Sequence, residues 1–170
     1  MKKDLLFILI RYLILLGLMF SLPLFYYILT PLTVYPIFFL LKIIFNQTAI
    51  ANNIIAVNGK VIVQIIPACI AGSAYLLLLI FNLTVPMNYK KRFYSIITSF
   101  LIFYILNLLR IFLLILIYYY NSDIFVFTHT LFWYVFSILF VVGIWFYITH
   151  KFKIKEIPVY TDFKSILSII

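Results

Sequence analysis

Long apolar runs follow one another along this sequence, and nearly all of its charges sit in the short breaks between them. The runs cover residues 5–29, 32–45, 67–85, 95–120 and 129–149. Only 10% of the 170 residues are charged and 67% are hydrophobic, against about 25% and 45–50% in an average soluble domain. A water-soluble fold of this size has too little interior to hide that much apolar surface. Soluble globular, disordered and collagen-like chains are thereby excluded, and an all-α integral membrane protein remains. At about 20 residues per span, the length allows at most about six or seven crossings.

The charges set an orientation. Nine positives fall in three places: Lys2 and Lys3; Lys90, Lys91 and Arg92; and Lys151, Lys153, Lys155 and Lys164. In a soluble protein such a balance would suggest nucleic acid as a partner. Between apolar runs it is instead the signal that keeps basic loops in the cytoplasm. Four spans, about 5–29, 67–85, 95–120 and 129–149, place all nine on one side, with only Lys42 and Lys60 opposite. A fifth span over 32–45 would throw Lys90, Lys91 and Arg92 outside. That run is also short and contains Pro36 and Lys42, so it reads as an interfacial helix. The first run is too long for a signal peptide and no small-residue cleavage site follows it. The expected topology is a plasma-membrane protein with both termini inside and a cytoplasmic tail over 151–170.

Between the interfacial helix and the second span, residues 54–66 are β-branched on either side of Asn58 and Gly59. Asn-Gly is the strongest short-range hairpin signal, because both turn residues tolerate positive φ. A lone hairpin has unsatisfied edges and cannot cross hydrocarbon, so it belongs at the outer surface. Asn46-Gln47-Thr48 reads as a glycosylation sequon, in keeping with an external loop.

Few residues in the spans can do chemistry. Arg110 lies 15 residues beyond Ser95, about 22 Å along a helix, in the outer third of the membrane. A charge near a helix centre costs about 2.5–3.5 kcal/mol on insertion scales. Asn107 is one turn earlier on the same face. The two together suggest a polar pocket inside the bundle, although Arg110 alone would also fit a snorkelling residue. Cys69, the only cysteine, falls in the first turn of span two. There the helix N-terminus and Arg110 would favour a thiolate, and Gly72 and Ala71 would leave room for a substrate backbone. A lone cysteine in an apolar helix is otherwise inert packing. His129 opens span four at the same outer end, as a cap beside Thr128 or as an acid and base titrating near pH 6.5. His150 lies at the opposite face, and the tyrosines at 118–120 with Trp133 and Trp145 suit an interfacial aromatic belt. One Cys, one Arg and one His at a common depth form an acyl-transfer set. No carboxylate pair, metal cluster or glycine-rich phosphate loop competes with it, so neither cofactor nor metal is expected.

With Ala68-Cys69-Ile70-Ala71-Gly72-Ser73 after a β-rich stretch, then Asn107-Leu108-Leu109-Arg110-Ile111, then His129, the chain resembles the exosortase/archaeosortase family over about residues 50–145. The resemblance implies a membrane cysteine transpeptidase with Cys69 as nucleophile, Arg110 as its essential arginine and His129 as its third residue. It implies substrate proteins ending in a short motif, a transmembrane helix and a basic tail, cleaved outside and passed to a lipid or other acceptor. The family has Ser or Thr directly after the cysteine and then Gly, whereas here Ile70 and Ala71 intervene. Many relatives also have eight or so spans, so this chain fits a compact or divergent branch. Two other readings stand beside it: a non-catalytic membrane scaffold, and a small proton-coupled carrier. The carrier lacks a balancing carboxylate, since Asp4, Asp123, Glu156 and Asp162 all lie outside the spans.

Overall fold

The computed structural model describes residue 10, residues 13–85 and residues 87–154. Lys2, Lys3 and Arg11, most of the early part of the first expected span, and the tail over 155–170 lie outside the described residues. Four helical segments are long and apolar enough to cross a membrane: Leu22–Ile44, Pro67–Thr84, Tyr89–Tyr120 and Ser122–Lys151. The bundle they form is compatible with a multi-pass membrane protein.

The first of these corrects two expectations at once. Neither a span ending at residue 29 nor an interfacial helix over 32–45 is present. Helix α1 instead runs unbroken over Leu22–Ile44, with Pro31 and Pro36 inside it. The chain breaks earlier, at Phe20 and Ser21, where the Ser21 hydroxyl donates to the Leu18 carbonyl and Pro23 opens the new helix, a position that suits proline. A proline inside a helix leaves the carbonyl four residues back without its donor. For Pro36 that carbonyl belongs to Leu32, and the Tyr104 hydroxyl, on another helix, donates to it at 2.7 Å.

After α1 the chain forms a three-stranded antiparallel sheet in the order β1 (Thr48–Ala51), β2 (Ile54–Val57) and β3 (Val61–Gln64). The expected hairpin is its second half. Asn58 and Gly59 make the turn, with φ of 50° and 64°, and Val57 pairs with Val61. The extra strand is turned by Asn52 and Asn53, with Asn52 at φ 54°. Ile55, Val57 and Ile65 bury one face of the sheet against Val34, Ile37 and Leu41 of α1 and Ile111 and Ile115 beyond it.

The expected second span is two pieces, α2 (Pro67–Ile70) and α3 (Gly72–Thr84), parted by Ala71 in the left-handed region at φ 57°, ψ 41°. Helix α4 (Tyr89–Tyr120) starts six residues earlier than expected and includes Lys90, Lys91 and Arg92. Its buried stripe recurs at helical spacing through Ser95, Ser99, Phe103, Asn107, Arg110 and Leu114. The opposite stripe, Phe93, Ile97, Leu101, Ile105 and Leu109, is exposed. Polar residues inside and apolar ones outside is the reverse of a helix in water. The last segment also starts earlier than expected. Asn121 accepts from the amides of Asp123 and Ile124 and caps α5 (Ser122–Leu131), which continues through a π-turn at Phe132–Phe136 into α6 (Ser137–Lys151).

A second core packs Tyr75 and Leu78 of α3, Phe103 of α4, and Val141, Ile144 and Trp145 of α6. Trp145 is buried there against Phe81 and is therefore a core residue and not part of an aromatic belt. The two ends of the bundle differ in charge. Lys42 closes α1 beside the sheet, and the Lys60 ammonium sits 5.1 Å from the Tyr119 ring. Lys90, Lys91, Arg92 and Lys151 lie at the other end.

Candidate active site

The break at Ala71 builds the site. In a continuous helix the Cys69 and Ile70 carbonyls would accept from the amides four residues on. The left-handed turn diverts those amides: Ala74 donates to the Ala71 carbonyl at 3.0 Å. Two carbonyls are left bare in an apolar bundle, where an unpartnered one is costly. Helix α4 supplies the donors. Asn107 Nδ2 lies 3.1 Å from the Cys69 carbonyl and 3.3 Å from that of Ile70. Arg110 Nη2 donates to the same Cys69 carbonyl at 3.1 Å. Ala71 pays for this with left-handed backbone that costs a non-glycine residue about 1–2 kcal/mol.

Arg110 is held at a second point. Its Nη1 donates at 3.1 Å to the Ser137 hydroxyl, which in turn donates to the Phe132 carbonyl. The π-turn ends there, with the Ser137 amide bonded to Phe132 five residues back. Such one-turn bulges recur at functional sites. Two polar atoms of the cluster are buried with no partner: Arg110 Nε and Asn107 Oδ1.

Cys69, Arg110 and His129 line one cavity of about 270 Å³. One wall is the strand and linker from Ile62 to Ile66. The other is the face of α5 and the π-turn carrying Phe125, His129, Phe132 and Trp133. Cys69 is half-buried. The His129 ring stacks between Phe125, at 5.5 Å, and Trp133, at 6.4 Å.

Three expectations about these residues are corrected. His129 does not open its helix; it lies in the last turn of α5, seven residues after Ser122, which starts that helix beneath the Asn121 cap. Cys69 does lie in a first helical turn, but α2 is only four residues long, too short to build the N-terminal charge of a full helix. Gly72 does not leave room for a substrate. A methyl group there would lie 2.8 Å from Cε1 of Tyr26, so the space is already filled by that ring. Ser137, the π-turn and the strand wall were missed. A lone serine between Phe136 and Ile138 was the available sign of Ser137. No family model, curated protein or solved structure matches the chain.

Proposed function

We propose that this chain is a multi-pass membrane cysteine transpeptidase of the exosortase/archaeosortase kind. The observation that carries the reading is the arginine. Arg110, buried in the bundle, donates to the Cys69 carbonyl and to the Ser137 hydroxyl, and with Cys69 and His129 it lines one cavity.

In this reading the apolar stripe of α4 faces lipid. The end bearing Lys90, Lys91, Arg92 and Lys151 is cytoplasmic, and the sheet and cavity face outside. His129 takes the Cys69 proton, and the thiolate attacks the substrate carbonyl carbon, forming a C–S bond. The carbonyl oxygen becomes an oxyanion, stabilised by the Arg110 guanidinium. Collapse breaks the C–N bond, and the amine leaves with the proton from His129. An acceptor amine or water, deprotonated by His129, then attacks the thioester, and the departing thiolate recovers the proton. Asn107 and Ser137 are positioning residues: they hold the Cys69 backbone and the guanidinium.

The test is co-expression with proteins of the same genome that end in a short motif, a hydrophobic helix and a basic cluster. The native chain cleaves such a protein; Cys69→Ala inserts but leaves it whole. Cleavage by the Cys69→Ala protein overturns the cysteine mechanism. Topology has its own test in the Cys69→Ala background. A membrane-impermeant maleimide added to intact cells should label Lys60→Cys and not Lys91→Cys; the reverse pattern inverts the orientation.

A further inference from the structure

Strand β3 ends the sheet, and among the described residues no strand pairs with its outer edge. The alternation of an antiparallel ladder says which groups that edge presents. The Ile65 amide donates inward to the Asn53 carbonyl, and Val63 and Val61 follow it at intervals of two, opposite Ile55 and Val57. Ile62 and Gln64 therefore direct their N–H and C=O groups away from the sheet. Ile66 does the same, and its carbonyl is taken by the Cys69 amide at 2.9 Å. Exposed sheet edges are normally blunted by charge, proline or a covering element. Here Val61-Ile62-Val63-Gln64 has no charge and no proline, and the edge lines the cavity that holds Cys69.

We propose that the substrate enters this cavity as an extended peptide and adds to the sheet as a fourth strand along the outer edge of β3. The proposal rests on the transpeptidase reading and specifies how that site takes its substrate. Strands pair at about 4.8 Å, which seats the peptide between β3 and the wall of Phe125, His129 and Trp133. Main-chain bonds to Ile62 and Gln64 give affinity that tolerates different side chains. The chain then passes Cys69, the residue into which β3 itself leads through Pro67. The charge in the cavity fits this occupant. Arg110 is the one Lys, Arg, Asp or Glu among its lining residues, and no carboxylate lines it. The group seated at the Cys69 end is thus an acceptor, as a peptide carbonyl is.

The experiment uses full-length Cys69→Ala protein in lipid nanodiscs, so that loss of chemistry cannot affect the readout. The probe is a fluorescent pentapeptide of alternating valine and threonine, with versions N-methylated at single positions. Methylation at alternate residues should weaken binding about tenfold, and at the intervening residues hardly at all. Gln64→Pro removes an outward amide at an edge, where proline is tolerated. It should lower affinity by a similar factor, while Gln64→Ala, which keeps the amide, binds as the parent does. Absence of saturable binding overturns the proposal. So does binding that ignores N-methylation, which marks a groove for acyl chains, and so does an equal loss in Gln64→Ala. Failure of the transpeptidase reading shows elsewhere, as cleavage that does not need Cys69.

Discussion

Two polar clusters lie on the buried stripe of α4, about two turns apart, and they are built to opposite standards. Near the basic end, Asn82 of α3 meets Ser95 and Ser99. Ser95 Oγ donates to Asn82 Oδ1; Asn82 Nδ2 donates to the Leu78 carbonyl and to Ser99 Oγ; Ser99 Oγ donates to the Ser95 carbonyl. All three residues are fully buried and every side-chain polar atom has a partner. Near the sheet, Asn107 and Arg110 are buried too, yet each keeps one atom without a partner, and Arg110 lines the cavity. The first cluster is closed on itself and joins two helices. The second is left incomplete, at a cost. The two clusters differ in saturation and not in polarity.

Substitutions can break that distinction. The largest effect is expected at Arg110. Arg110→Lys keeps the charge but not the planar fork that reaches Cys69, Ser137 and the cavity together. Substrate cleavage should fall about 10²–10³-fold, as for loss of an oxyanion donor, with a smaller change in thermal stability. Full activity would reduce the arginine to a charge. Asn82→Ala should do the opposite. It strands the buried Ser95 hydroxyl, costing about 1–3 kcal/mol in detergent unfolding, and leaves cleavage per folded molecule unchanged. If it abolishes cleavage without destabilising the protein, the two clusters are not different in kind. Gly72→Ala pushes a methyl group into the Tyr26 ring and should cost about 1 kcal/mol, the low end for overpacking. Its cleavage rate should follow only its folded fraction.

The smallest effect has the other sign. Ala71→Gly removes a left-handed strain of about 1–2 kcal/mol, against the roughly 0.5–1 kcal/mol that glycine loses to unfolded-state entropy. A net gain of about 0.5–1 kcal/mol should appear as a raised Tm. A destabilised Ala71→Gly protein would mean that the alanine methyl group matters more to packing than its backbone does to strain.

Local chemistry decided what could be read in advance. The Asn58-Gly59 turn was legible because its φ values are a property of two adjacent residues. The depth of Arg110 followed from helix rise, while Cys69 and His129 were read as helix starts, which fits Cys69 and not His129; all three line one cavity. The continuity of α1 was hidden, since it depends on a tyrosine 72 residues away from the carbonyl it satisfies. The kink at Ala71 was hidden for a similar reason. Alanine favours a right-handed helix, and only the donors of α4 make the broken form worthwhile. Asn52-Asn53 carried the same tolerance for positive φ as the turn that was recognised, and went unread.

The π-turn at Phe132–Phe136 has a consequence for how this chain can vary. Such a turn is an α-helix holding one surplus residue, and each residue advances a helix by about 100°. The widened turn absorbs the surplus, so His129 keeps its phase relative to Val141, Ile144 and Ile148 in the core below. Deleting a single residue between 132 and 136 would restore a plain helix with both halves still in phase, and would lose the five-residue reach from Phe132 to Ser137, whose hydroxyl meets Arg110. The insertion therefore works as a buffer, letting the turn beside the guanidinium vary while the two halves of the helix stay aimed.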